Sequence, residues 1–182
     1  MIFTDLPLSG AVVVDLEPRQ DARGFFARSF CAEIFAARGL VSQFVQMNAS
    51  YSHRKGTLRG MHFQRPPAAE VKMVRCVSGA VFDVIVDLRA GSPTFGRWTG
   101  VELSATNRRM IYIPRGFAHG FQTLSDGAEL IYWHDTPYAP GHEGGVHFAD
   151  PDLAIDWPLP PVDLSTRDAS LPRLAEQEPL QP

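Results

Sequence analysis

The sequence predicts an all-β domain, a sandwich or a barrel, and three observations predict it. About ten short apolar runs have the composition of strands, and Gly, Pro, Asn and Asp separate them at nearly regular spacing. Only residues 31–38 are typical of a helix, being Ala-rich and ended by Gly39. Many short strands with evenly spaced turns favour a closed β architecture, of which the jelly roll is one common form.

The predicted elements follow one another along the chain. The strands are 12–16, 25–30, 44–50, 58–64, 71–77, 81–88, 100–103, 110–113, 120–124 and 130–134. Ser78-Gly79, between two Val-rich runs, is a hairpin signal, and Asn107 marks a similar turn. The C-terminal segment is Pro-rich, but Ile155, Trp157 and Leu164 are apolar. We therefore expect this tail to pack back against the barrel.

Length and composition indicate one soluble domain over residues 1–182, with ordinary hydrophobic (45%) and charged (20%) fractions. A net charge of −3 gives no general attraction to nucleic acid or anionic lipid. No apolar run is long enough to span a membrane, and the N-terminus lacks the basic region of a secretory signal. Cys31 and Cys76 are the only cysteines, which favours a reducing cytoplasm over a disulfide framework.

One local motif, Pro114-Arg-Gly-Phe-Ala-His119, resembles the second half-motif of the cupin superfamily, whose fold is a double-stranded β-helix of the jelly-roll type. Cupins often bind a metal ion through three histidines and a glutamate, and the first half-motif supplies His-x-His. Here that segment reads Arg59-Gly-Met-His62-Phe-Gln64, so glutamine replaces the second histidine. Two neutral histidines without a carboxylate or thiolate make a poor site for a divalent metal. We expect a cupin-type barrel without a bound metal.

Three polar residues fall at strand positions that alternate with apolar or small ones. His62 shares a face with Gly60, which would leave room for a ligand, while Lys72 shares a face with Val74. Tyr132 lies on a further strand. A base, a cation and a proton donor around one cavity suit proton transfer beside a carbonyl. Each alone has an ordinary alternative: a structural histidine, a surface lysine or a core tyrosine.

Read together, several spaced motifs resemble the dTDP-4-dehydrorhamnose 3,5-epimerase family over nearly the whole chain. They are Asp21-Ala-Arg-Gly-Phe-Phe26, Phe44-Val-Gln-Met-Asn48, Gly56-Thr-Leu-Arg-Gly-Met-His-Phe-Gln64, Lys72-Met-Val-Arg75, Phe82-Asp-Val-Ile-Val-Asp-Leu-Arg89, Ser92-Pro-Thr-Phe-Gly96, Ile113-Pro-Arg-Gly-Phe-Ala-His-Gly-Phe121 and Leu164-Ser-Thr-Arg-Asp168. The resemblance implies an isomerase that epimerises C3, C5 or both of a nucleotide-linked 4-keto-6-deoxyhexose without a cofactor. It also implies a homodimer in which an N-terminal strand crosses to the partner.

The resemblance implies a role for each matching residue. His62 matches the base that removes the protons at C3 and C5, and Asp168 matches the aspartate that pairs with it. Tyr132 matches the proton donor on the other face of the sugar, and Lys72 the cation beside the C4 oxygen. Residues matching ligand contacts are Arg23 and Arg59 for the diphosphate, with Gln46, Asn48, His119, Tyr138, Glu143 and Arg167 for other parts of the substrate. Arg23 is expected to serve the neighbouring subunit.

Three positions depart from the family pattern. Arg28, which we count among the substrate contacts, stands where a glutamate near the nucleotide is usual, and this replaces an acceptor by a donor. Met47 replaces a usual aspartate, and Trp133 stands where lysine is common. We therefore hypothesise retained chemistry with altered nucleotide or sugar recognition. Alternatives are a mono-epimerase, a 3,4-ketoisomerase, a metal-dependent cupin enzyme and a non-catalytic sugar-binding module.

Arg59 poses a geometric problem. Strict alternation along residues 58–64 places its side chain on the face opposite His62, although both are matched to ligand-binding positions. Either the strand bulges near Gly60 or Arg59 acts at the rim of the barrel.

Overall fold

The computed structural model describes residues 1–181, which contain thirteen strands, two α-helices and one 3-10 helix. The strands are β1 (Ile2–Asp5), β2 (Val12–Asp15), β3 (Arg19–Asp21), β4 (Gly24–Phe26), β5 (Gln46–Ser52), β6 (Leu58–Gln64), β7 (Lys72–Ser78), β8 (Ala80–Asp87), β9 (Trp98–Ser104), β10 (Met110–Ile113), β11 (Phe117–Thr123), β12 (Ala128–His134) and β13 (Glu143–Gly145). The helices are α1 (Ala32–Ala37), α2 (Thr166–Ala169) and the 3-10 helix Leu174–Glu176. None of the helices in this range is long and apolar enough to cross a membrane.

The strands form two antiparallel sheets that face each other. The first has the order β1-β2-β10-β7-β12-β5, and the second the order β13-β6-β11-β8-β9. Strands β3 and β4 form a separate hairpin. This arrangement confirms the predicted all-β, cupin-type jelly-roll barrel with a few short helices.

Apolar side chains from both sheets meet between them. Val74 and Leu130 of the first sheet pack with Ile85 and Phe121 of the second in one buried cluster. Burying a side chain of this size stabilises the fold by roughly 1.5–3 kcal/mol. The interleaved core therefore fixes the spacing of the two sheets, and with it the walls of any cavity between them.

Helix α1 covers the outer face of the first sheet and confirms the predicted helical segment. Its Phe35 is fully buried among Val14, Met73 and Tyr112. The alternate residues of these strands point into the barrel instead, as period two requires. The first sheet thus buries apolar side chains on both of its faces.

The C-terminal tail packs back on the barrel, as predicted. Ile155 and Trp157 contact a cluster that includes the buried Leu153 and Leu180, and the Trp157 indole donates a hydrogen bond to the Phe148 carbonyl oxygen at 2.9 Å. The tail is therefore anchored by burial and by directional bonds before and after α2.

The hairpin interpretation of Ser78-Gly79 was wrong. These residues join β7 to β8, which lie in different sheets, and Asn107 similarly lies between β9 and β10. Gly79 has a φ of 68°, the left-handed conformation that glycine adopts readily. The same turn chemistry therefore serves here to cross between the sheets.

The N-terminal strand boundaries also differ from the prediction. Of residues 25–30 only the first two belong to a strand, because β4 is a short exposed arm of the hairpin with β3. Strands β1, β3 and β13 were not predicted. Each has at most four residues and at least one exposed side chain, so it carries little hydrophobic pattern.

Candidate active site

A cavity of about 270 Å³ lies between the two sheets. Strands β5, β7 and β12 supply one wall, and β6 and β11 supply the other. Six of the predicted site residues line it: Asn48, Arg59, His62, Lys72, His119 and Tyr132. The fold thus gathers polar groups from five strands around one space.

His62, on β6, is paired with a buried carboxylate. Its Nε2 lies 2.7 Å from Oδ1 of Asp168 in α2, while Oδ2 accepts a hydrogen bond from the Gly60 N–H at 3.1 Å. Burial opposes ionisation of Asp168, but the hydrogen bond and charge of His62 and the Gly60 N–H outweigh it, so the pKa of Asp168 lies below its usual value. The ionised carboxylate orients the imidazole and leaves Nδ1 to accept a proton.

A β-bulge resolves the position of Arg59. His119 of β11 lies opposite His62, and Phe121 lies opposite Arg59, so three steps on β6 match two on β11. The extra residue turns both Arg59 and His62 towards the cavity. Of the two alternatives that the sequence left open, the bulge near Gly60 is present, and Arg59 is also exposed at the edge of the barrel.

Gly60 is required for a reason other than the one the sequence suggested. It has a φ of 131°, and a Cβ at this position would lie 2.5 Å from the Cα of Gly120 and 3.0 Å from the His119 carbonyl oxygen. The missing side chain therefore makes room for the neighbouring backbone of β11, rather than for a ligand.

Neighbouring groups on β5 fix the guanidinium of Arg59. Its Nε donates to the Ser52 hydroxyl at 3.2 Å, and an Nη donates to the Tyr51 carbonyl oxygen at 3.0 Å. These bonds hold a planar cation at the edge of the cavity. Such a group is suited to bind a diphosphate through paired hydrogen bonds.

Tyr132 faces the cavity from the opposite sheet. Its hydroxyl lies 3.0 Å from the Ser50 hydroxyl, and burial raises its pKa above the usual value despite that hydrogen bond. The phenol consequently stays neutral and keeps a proton to donate. Ser50 was not singled out by the sequence, where a lone serine on a strand carries no signal.

Lys72 and His134 share a carboxylate. The Lys72 Nζ lies 3.1 Å from one oxygen of Glu70, and the His134 Nδ1 lies 2.7 Å from the other. His134 was given no role from the sequence, and its side chain is only 10% exposed. Glu70 was missed because it precedes β7 and belongs to no strand pattern.

His119 forms a second buried pair. Its Nε2 lies 2.8 Å from Oδ2 of Asp83 on β8, and both side chains are buried. Burial raises the pKa of Asp83, and the charge and hydrogen bond of His119 oppose this only in part. The signal for Asp83 in the sequence was a carboxylate inside the apolar run Phe82-Asp-Val.

The remaining predicted contacts lie outside the cavity. Arg23 is 90% exposed on the β3–β4 hairpin and pairs with Asp21, and Arg28 is exposed just beyond it. Around the barrel, the Gln46 side-chain oxygen accepts from the Tyr138 N–H at 3.0 Å, and Arg167 of α2 bonds Glu143 at 2.9 Å. Arg167 lines a neighbouring cavity together with His62 and Asp168. The other contacts line neither cavity that includes His62, and the roles of all of them stay predictions.

Two of the three departures lie away from the cavity face. Trp133 packs in the outer cluster beneath α1, because alternation turns it away from Tyr132 and His134. Met47 lies opposite it on β5 and is 63% exposed. The Trp133 side chain belongs to the outer face, so it gives no support for altered recognition inside this cavity.

The donor set of a metal cupin is missing from the described part of the chain. Residues 1–181 contain no group of three or more His, Cys, Asp or Glu side chains able to hold a metal ion. Gln64 accepts from the Ala139 N–H at 2.8 Å and donates to the Ala68 carbonyl oxygen at 3.1 Å. His62 and His119 are each committed to a carboxylate, so these residues do not fit the three-histidine site of cupins.

Comparisons with known proteins agree with this geometry. Residues 5–176 match the model of the dTDP-4-dehydrorhamnose 3,5-epimerase family. A dTDP-4-dehydrorhamnose 3,5-epimerase of Methanothermobacter thermautotrophicus is 46% identical over 96% of this chain and 95% of its own. The crystal structure of a Legionella pneumophila 3,5-epimerase in complex with dTDP-4-keto-L-rhamnose is similar with a TM-score of 0.92, 42% identity, and coverage of 99% and 97%. A dTDP-4-dehydrorhamnose 3-epimerase of Streptomyces niveus is 45% identical over 97% and 85% of the two chains.

The crowding at Gly60 predicts that Gly60→Ala destabilises the protein by roughly 3 kcal/mol or more, because the added methyl meets backbone atoms that cannot rotate away. Gly24 is a matched control, since its φ is 133° but a Cβ there meets nothing within 4 Å among the described residues. Both variants place an alanine at a φ near 130°, so the difference in free energy of unfolding reports chiefly the close approach of β6 to β11. Equal losses measured by urea denaturation would contradict the prediction.

Proposed function

Because the chain belongs to the dTDP-4-dehydrorhamnose 3,5-epimerase family, we propose that it inverts C3, C5 or both of a nucleotide-linked 4-keto-6-deoxyhexose, of the dTDP-4-dehydro-6-deoxyglucose type. The observation that carries this proposal is the His62–Asp168 pair on one wall of a cavity whose other wall bears Lys72 and Tyr132. A base and a proton donor on opposite walls suit a reaction that takes a proton from one face of a ring and returns one to the other.

The proposed reaction uses these groups in turn. His62 removes a proton from the carbon beside the C4 ketone, and the electron pair of the broken C–H bond moves onto the C4 oxygen to form an enolate. The ammonium of Lys72 stabilises that oxygen, as a positioned cation does for developing negative charge. Tyr132 then donates its proton to the same carbon from the opposite face, which restores the ketone with inverted configuration. Asp168 stabilises protonated His62 until solvent resets both groups.

Arg59 supports the nucleotide part of the proposal. We assign it to the diphosphate, with Asn48 beside the sugar or nucleotide.

Arg23 and Arg28 lie too far out on the N-terminal segment to line the cavity of their own chain. We therefore propose a homodimer in which the hairpin of one protomer completes the site of its partner. The free thiols of Cys31 and Cys76 fit the reducing cytoplasm as its setting.

A mono-epimerase is the second candidate. The Streptomyces niveus protein, which is named a 3-epimerase, is 45% identical, nearly the same as the 46% of the Methanothermobacter thermautotrophicus 3,5-epimerase, so identity does not separate the two candidates. Both carbons lie beside the same ketone, so the same His62 and Tyr132 can serve one position or two. The number of centres inverted depends on whether the ring turns over between the two steps.

Incubation of the enzyme with dTDP-4-keto-6-deoxyglucose in heavy water tests the mechanism by NMR. We expect deuterium at C3, C5 or both, because each reprotonation draws a proton that has exchanged with solvent. His62→Ala is expected to lose this exchange by at least about a hundredfold, since general base catalysis contributes roughly 10²–10⁴. Deuterium at C3 alone would favour the mono-epimerase, and near-wild-type exchange in the variant would overturn the assignment of the base.

Arg28 is predicted to contact the nucleotide, which Arg28→Glu tests by restoring the residue usual in the family. Titration calorimetry with dTDP, UDP, CDP and GDP compares the two proteins. Because glutamate accepts where arginine donates, we expect the preference for dTDP over the other three to increase by about tenfold in the variant. A uniform change for all four nucleotides would show that Arg28 acts only through its charge, against the predicted contact with the base.

Mixing inactive variants tests whether Arg23 serves the partner's site. His62→Ala and Arg23→Ala subunits are unfolded together, refolded and assayed. In a mixed dimer, one site combines His62 of one chain with Arg23 of the other, so random assortment restores about a quarter of wild-type activity. If Arg23 acted in its own chain, every site would lack one group and the mixture would stay as inactive as its parts.

A further inference from the structure

We propose that Glu70 is a positioning residue for the reaction, which holds the Lys72 ammonium and the His134 ring in place on the cavity wall. The inference deepens the proposed function and rests on it, because a fixed ammonium matters only where an enolate oxygen forms. Glu70 lies in the segment between β6 and β7 and does not itself line the cavity. It therefore acts through the side chains that it bonds.

The register of the first sheet creates the need for such a residue. Lys72 opens β7 directly opposite His134, the last residue of β12. Side chains directly opposite each other in an antiparallel pair lie on the same face and close together. Two basic side chains thus share one small area of the wall.

Two hydrogen bonds fix the backbone of Val71, the residue that follows Glu70. The Val71 N–H donates to the Asp135 side chain at 2.7 Å, and the Asp135 N–H donates to the Val71 carbonyl oxygen at 3.3 Å. Arg115 also bonds the Asp135 carboxylate, so that side chain is itself held. The Glu70 side chain is consequently held in one position, with one carboxylate oxygen towards Lys72 and the other towards His134.

Glu70 is ionised in this position. Its side chain is 8% exposed and that of Lys72 is 13% exposed. Burial opposes the charge, but the hydrogen bond from His134 and the positive charge of Lys72 outweigh burial, so the pKa of Glu70 lies below its usual value. A carboxylate held between two donors restricts the long lysine side chain, which otherwise has many rotamers.

The His134 ring connects Glu70 to Asn48 on a third strand, β5. Its Nδ1 donates to Glu70, and its Nε2 lies 3.3 Å from the side-chain nitrogen of Asn48 on β5. A neutral ring with the proton on Nδ1 satisfies both neighbours, since Nε2 then accepts from the amide. One carboxylate therefore orients both the cation proposed for the enolate and an amide proposed for the ligand.

The test is Glu70→Gln, which keeps the shape and removes the charge. We expect kcat to fall by about ten- to a hundredfold. KM and the affinity for dTDP depend on Glu70 only indirectly, through His134 and Asn48, and are expected to change by less than about threefold. Glu102→Gln, on the exposed part of β9, is the matched control and should match wild type in all three. If circular dichroism shows that Glu70→Gln does not fold, Glu70→Asp is used in its place. This variant keeps the charge but shortens the side chain, so the same fall in kcat is expected.

A double-mutant cycle separates positioning from a merely structural role. If Glu70 acts through Lys72, adding Glu70→Gln to Lys72→Met lowers kcat by less than about twofold further. Equal losses in both backgrounds, or wild-type kcat in Glu70→Gln, would overturn the inference. Wild-type enzyme that exchanges no deuterium would instead overturn the proposed function, so the two failures are distinguishable.

Discussion

The carboxylate of Asp168 is the group on which the site depends. One oxygen bonds the imidazole of His62 and the other accepts the N–H of Gly60, the residue at the bulge in β6. A bulge takes backbone groups out of the ladder, and a buried N–H without a partner costs about 1–3 kcal/mol. The same side chain thus satisfies the irregular strand and orients the base that the irregularity exposes. Structure and chemistry cannot be separated at this point of the molecule.

The two walls of the cavity carry different chemistry. The wall built from β6 and β11 holds two imidazoles, His62 and His119, each committed to a carboxylate. The wall built from β5, β7 and β12 holds the phenol of Tyr132 and the ammonium of Lys72. Because the core fixes the distance between the sheets, the groups that act on the two faces of a flat enolate are set on separate rigid supports. Neither wall alone contains a complete set for proton exchange.

The sequence predicted strands Leu58–Gln64 and Met110–Ile113 with the bounds that are observed. It could not predict which sheet follows the turn at Ser78-Gly79, because a left-handed glycine suits a hairpin and a crossing equally well. The resemblance supplied His62, Lys72, Tyr132 and Asp168 as a group, and the fold brings them together. Alternation alone would have left Arg59 on the wrong face.

Residues that hold other site residues in place were the hardest to predict from the sequence. Glu70 precedes its strand and Ser50 is a single hydroxyl, so neither belongs to a pattern of apolar spacing. Trp133 shows the opposite error, since a conspicuous substitution in the sequence proved to face the outer cluster under α1. Which face a side chain takes is decided by register, and register is set by partners far away in the chain.

His62 and Asp168 are 106 positions apart, so the base gains its partner only when the C-terminal tail has docked. The tail is attached through Leu153, Trp157 and Leu180, none of which lines the cavity. Without that docking the imidazole of His62 would lack its carboxylate and the Gly60 N–H would lack its acceptor. Docking of the tail therefore completes the bulge of β6 and the His62–Asp168 pair in the same step.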